Sequence, residues 1–185
     1  MLKVFISWSG ERSLRLAEAL VDWLPCVIQV TKPWMSTEHI SKGDRWLSEV
    51  GASLAEHDVG IFCVTPENCR APWLLFEAGA LSKALGNSKV CPLLLGIDPD
   101  DLDGPLTQFQ ATMFERDDVF KLIQSLNQLL GKERIAQKVL RDAFEIHWPD
   151  LESRIKDIVQ IGIPASCTTL TSVIRAISKH GLPKP

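Results

Sequence analysis

The residues with the strongest chemical character stand together at 72–81, Pro-Trp-Leu-Leu-Phe-Glu-Ala-Gly-Ala-Leu. Pro72 suits a first helical position, and good helix formers follow it. At helical spacing, Leu74, Ala78, Leu81 and Leu85 form one apolar stripe, with Trp73, Glu77, Ala80 and Ala84 beside it. Glu77 therefore stands one turn from an indole, at the edge of a buried face, with no charge beside it to pair with. A carboxylate in that setting costs free energy unless something uses it. Its plainer role is a boundary side chain that reaches water or a loop amide. Its functional role would be as an unpaired carboxylate held beside an indole at a binding crevice.

The elements that must position this pair follow from short apolar runs alternating with helical periodicity. Strands are expected at 3–9 (KVFISWS), 27–30 (VIQV), 59–64 (VGIFCV), 89–97 (KVCPLLLGI) and, weakly, 111–114. Helices are expected at 11–27, 45–57 and 116–130, the last closed by Gly131. Residues 31–44 (TKPWMSTEHISKGD) read as a long polar loop, of a length that is usually functional inside a compact domain. Pro92 suggests an early or edge position in its strand. Residues 98–104 form an acidic turn. The pattern predicts an α/β domain with a doubly wound, flavodoxin-like, five-stranded parallel sheet and a C-terminal helical extension. The domain is expected over 1–131 and the extension over 132–185. That extension reads as two helices split at Trp148-Pro149-Asp150, then a short possible helix at 170–180. In such a sheet the binding crevice lies at the carboxyl ends of the strands. Ser7-Trp8-Ser9-Gly10, Pro33-Trp34 and the loop leading to Trp73 and Glu77 should converge there.

Composition excludes several function classes. The chain has 185 residues, a formal net charge of −3 and no long basic run, which argues against a nucleic-acid surface. Its longest apolar run, 90–97, is too short for a bilayer. The opening strand leaves no room for a signal peptide, so a cytoplasmic protein without a membrane segment is expected. The five cysteines are scattered, with no C-x-x-C pair, so free thiols and no metal site are expected. G-x-G-x-x-G and P-loop patterns are absent. Strand one ends without the acidic pair that a phosphorylated receiver needs for Mg²⁺.

Over residues 2–130 the sequence resembles a bacterial Toll/interleukin-1 receptor (TIR) domain. Val4-Phe5-Ile6-Ser7-Trp8 is similar to the family's first strand, in which an aromatic residue follows F-I-S. Residues 34–46 (WMSTEHISKGDRW) resemble the BB loop. Trp73-Leu74-Leu75-Phe76-Glu77 matches the W-x-x-x-E signature of catalytic members, and 144–151 (FEIHWPDL) looks like what often follows the domain in bacterial relatives. The resemblance implies cleavage of the nicotinamide–ribose bond of NAD+ as substrate, with no cofactor. Glu77 would be catalytic and Trp73 a wall of the nicotinamide pocket. Phe5, Ser7, Trp8, Trp34, Lys32 and Arg45 would contact the substrate, with Arg12 and Lys42 as further phosphate candidates. It also implies homo-oligomers through TIR–TIR contacts, a downstream effector that senses a nucleotide product, and a role in anti-phage defence. The BB loop departs from relatives at Glu38 and His39, and Trp8 replaces the usual tyrosine.

Nicotinamide leaves NAD+ as a neutral ring, so no general acid is required, unlike an ordinary glycoside. One carboxylate that stabilises the ribosyl cation and holds its hydroxyls is enough. Three other functions share part of the pattern. A non-catalytic TIR interaction module would leave Glu77 incidental. A nucleoside deoxyribosyltransferase would use Glu77-Ala78-Gly79-Ala80, which loosely echoes its E-x-G-x-A stretch. A flavodoxin would use Ser7-Trp8-Ser9-Gly10 as a phosphate loop, and its flavin would colour the protein.

Overall fold

The computed structural model describes residues 1–35, 57–70, 89–102 and 104–160. Its strands are β1 (Leu2–Ser7), β2 (Thr31–Met35), β3 (Val59–Val64), β4 (Lys89–Leu94) and β5 (Thr112–Met113). All pair in parallel, in the order β2-β1-β3-β4-β5. The expected five-stranded parallel sheet is therefore present. The three described helices are α1 (Glu11–Val27), α2 (Arg116–Leu129) and α3 (Gln137–Gln160).

β1 and β3 run through the sheet interior, and every residue of β3 is buried. Strands covered on both faces need continuous apolar runs, which is why VFI and VGIFCV were readable. The second strand differs from expectation. Val27 ends α1, and the Ile28 amide still bonds the Leu24 carbonyl at 2.8 Å. A tight turn follows, in which the Thr31 amide and hydroxyl both donate to the Ile28 carbonyl, at 3.0 and 2.7 Å. The strand is Thr31-Lys32-Pro33-Trp34-Met35, inside the stretch expected to be loop. As an edge strand it tolerates Pro33 and a polar alternation that an interior strand would not. Pro92 also finds a permissive place: pairing of β4 with β5 begins only at Leu93.

Alternate strand residues divide the core. One apolar cluster joins Val4, Ile6, Ile61, Cys63 and Leu93 to the inner stripes of all three helices. The other contains Phe5, Phe62, Val64, Leu94, Leu102 and Leu106. Beyond residue 131 the expected pair of helices is a single helix, α3, with Pro149 inside it. Leu140, Phe144, Trp148, Leu151, Ile155 and Ile158 form one stripe at spacings of three and four, and all are buried. Pro149 is exposed, while its neighbour Trp148 stacks on Phe144 at 5.3 Å and on Phe114 at 5.4 Å. That packing holds the helix continuous across a residue that would otherwise break it. Trp23 of α1 meets Phe144 edge-on at 5.8 Å and donates its indole N–H to the His147 carbonyl at 2.8 Å. Arg154 clasps Asp22 of α1 at 2.9 Å. No helix among the described residues is long and apolar enough to cross a membrane.

Candidate functional site

In this order successive strands are added on opposite sides of β1, so the crevice of an open parallel sheet lies outside the carboxyl ends of β1 and β3. The loops that leave those two strands meet there. β1 ends at Ser7, and the chain passes through Trp8, Ser9 and Gly10 into α1. Gly10 takes φ 84° and ψ 161°, a region open essentially to glycine alone, and a Cβ there would meet nothing within 4 Å. The backbone conformation, not space, demands the glycine. With no side-chain cap at Gly10, the Ser13 hydroxyl serves the turn: it accepts from the Ser9 amide at 2.8 Å and donates to the Ser9 carbonyl at 2.5 Å.

The loop after β3 is built around Asn68, which is 3% exposed. Its Oδ1 accepts the Thr65 amide at 2.8 Å. Its Nδ2 donates to the Cys63 carbonyl at 3.0 Å and, across the crevice floor, to the Ser9 carbonyl at 3.1 Å. Next to it, the largely buried Arg12 guanidinium pairs with Glu67 at 3.2 Å. Two polar ties therefore join the loop after β3 to the loop after β1 and to the first turn of α1. Nothing in the apolar periodicity announced them; the signal that could have found them is two polar side chains, Arg12 and Asn68, flanking buried runs. The Thr65 hydroxyl is buried at the same place and meets no hydrogen-bond partner among the described residues.

The residues expected to contact a ligand divide across the sheet. Ser7 is buried at the carboxyl end of β1. Phe5 lies two residues earlier on the same face, wholly buried, opposite Trp34 on one side and Gly60 on the other. Trp34 stacks on Phe5 at 5.6 Å, and His57 approaches both rings at 5.6 to 5.8 Å. Phe5 thus backs Trp34, which is 42% exposed and offers the free ring surface. Trp8 packs against the cluster on the opposite, helical face, so the two indoles do not line one wall. Lys32 pairs in register with Lys3 at the start of β1, about 13 Å of strand from Ser7, and the structure does not bring it to the carboxyl-end crevice. Arg12 is engaged with Glu67. Trp73, Glu77, Arg45 and Lys42 lie outside the described residues.

Burial in apolar surroundings raises the Cys63 thiol above its ordinary range, so it stays protonated and inert as a nucleophile. Among the described residues no group of three or more His, Cys, Asp or Glu is placed to hold a metal ion.

A parallel α/β sheet in the order 2-1-3-4-5, with its loops clamped at the carboxyl ends of β1 and β3, defines the class. Comparison with known proteins then gives the family: the TIR domain model matches residues 4–130, and this chain belongs to the TIR domain family. A solved structure of an activated Roq1 resistosome recognising the pathogen effector XopQ, in its TIR domains, is similar at a TM-score of 0.42 and 16% identity, covering 98% of this chain and 100% of that one. No curated protein matches.

Proposed function

We propose that this TIR-domain protein is an NAD+ nucleosidase or ADP-ribosyl cyclase of the bacterial type. One observation carries the reading. The W-x-x-x-E pair, Trp73 and Glu77, falls inside the span matched to the family and begins three residues after Arg70, the last described residue of the loop after β3. Glu77 is the proposed catalytic carboxylate, with Trp73 stacking on nicotinamide. The bond from ribose C1′ to the pyridinium nitrogen breaks, and its electron pair leaves with neutral nicotinamide. Glu77 stabilises the ribosyl cation and orients its hydroxyls. Water then adds to C1′ and releases a proton, giving ADP-ribose. Attack by a ribose hydroxyl or an adenine nitrogen gives a cyclic isomer instead. Ser7 and Trp34 share one face of the sheet and supply polar and flat contact surface beside that chemistry, with Phe5 behind Trp34. The cleavage product is proposed as a nucleotide signal read by a separate effector in anti-phage defence.

A second reading, a TIR–TIR assembly module, is favoured by Trp34 itself: an exposed indole on an edge strand suits a second copy. Both functions can coexist. Incubation with NAD+ across a range of protein concentrations, with products resolved by mass spectrometry, tests the proposal. Nicotinamide should appear together with ADP-ribose or its cyclic isomer, at a rate that rises more steeply than protein concentration if assembly completes the site. Self-association without nicotinamide release would leave the assembly reading alone.

A further inference from the structure

We infer that Asn68 is a positioning residue that holds the two halves of the proposed NAD+ site in register; this rests on the reading of Glu77 above. The chemistry of its head group is specific. An amide presents two N–H donors and a carbonyl acceptor in one plane. Asn68 spends both donors on carbonyls of different segments, Ser9 and Cys63, and its acceptor on the Thr65 amide. One planar group thus links the end of β3, the root of its loop and the loop after β1. Aspartate has the same shape but would set a carboxylate against two carbonyl oxygens. Serine has one donor and a shorter reach. The chain that leaves Asn68 reaches Trp73 five residues later and Glu77 nine residues later, whereas Ser9 lies two residues from Ser7. A shift at Asn68 therefore moves the root of the chain that leads to the carboxylate relative to the loop after β1. A misplacement of about 1 Å can lower turnover about 100-fold.

A second buried asparagine supplies the control. Asn127 is 4% exposed, and its amide bonds the backbone of Ile135 in both directions at 2.9 Å, between α2 and the segment before α3. It resembles Asn68 in burial and bonding but belongs to the helical side. The experiment compares Asn68→Asp, Asn68→Ser and Asn127→Asp in the full chain. It measures melting temperature, backbone amide exchange at residues 9–13, and kcat and KM for NAD+ at a temperature where all are folded. The expected result is a fall in kcat of at least about tenfold for both Asn68 variants, with KM changed less than about threefold. Exchange at 9–13 should also be faster. Asn127→Asp should lose stability and keep kcat within about twofold. Equal losses of kcat in the Asn68 and Asn127 variants, or an unchanged kcat in Asn68→Asp, would overturn the inference. If the wild-type protein does not cleave NAD+, the functional reading fails separately. Exchange then decides the clamp: faster exchange at 9–13 in the Asn68 variants alone supports it, and unchanged exchange removes it.

Discussion

The helical face of this sheet and its carboxyl-end loops solve the same problem by opposite means. On the helical face α1, α2 and α3 close over the strands through Trp23, Phe120, Phe144 and Trp148, whose rings meet at 4.9 to 5.8 Å. That attraction is large and weakly directional, so it holds elements together without setting any atom to a fraction of an ångström. At the carboxyl end directional contacts tie the described loops: Ser13 to Ser9, Asn68 to three backbone groups, Arg12 to Glu67. They contribute less stability but fix distances. Losses on the helical face should therefore read out as unfolding, and losses at the loops as altered geometry in a folded protein.

The strongest way to break the contrast is Phe144→Ala, at the centre of the ring cluster. It should cost about 3–5 kcal/mol in denaturant unfolding. A cost below about 1 kcal/mol would show that α3 is not integral to the core. Asn68→Ala comes next. It strips partners from the Thr65 amide and the Ser9 and Cys63 carbonyls and should cost about 1–3 kcal/mol. Trp34→Ala should cost only about 0.5–1.5 kcal/mol, since its stack on Phe5 is half open to solvent. It should weaken self-association or NAD+ turnover more than it weakens the fold.

The smallest effect is a pH slope. Burial raises the Cys63 thiol above its ordinary value of 9.0, so the folded protein keeps a proton that the unfolded chain releases. The resulting stability is complete below about pH 9 and is lost as pH rises beyond it. Above pH 9 the melting temperature of the wild-type protein should fall more steeply than that of Cys63→Ala. Parallel curves would mean that the thiol is less sequestered than its place beneath α1 implies.

Much of this fold was legible because interior strands and helix stripes repeat an apolar pattern. VGIFCV could only be a strand buried on both faces, and 116–130 and 11–27 carried clear helical periodicity. β2 was missed because an edge strand needs just one covered face. Thr31, Lys32 and Pro33 then look like loop, while the β-branched run at 27–30 belongs to a helix end and a turn. Pro149 misled in the opposite direction, since local propensity says break and the packing of Trp148 overrides it. Near the crevice, the positions of Ser7 at the end of β1 and Trp34 on the neighbouring segment were legible. That Trp8 turns to the helical face, that Lys32 lies near the start of a strand instead of in the loop after one, and that Arg12 pairs with Glu67 were not. Those facts depend on strand register and, for Arg12, on a partner 55 residues away.

The proposed role of Glu77 in this TIR domain is to cleave NAD+ as the single catalytic carboxylate. It is tested most directly by following nicotinamide release from NAD+ by wild-type protein and by Glu77→Gln at matched, high concentration. Release by the wild type, and none by a variant with unchanged melting temperature, is the predicted result. Equal release by the folded variant, or none by the wild type at any concentration, would contradict it.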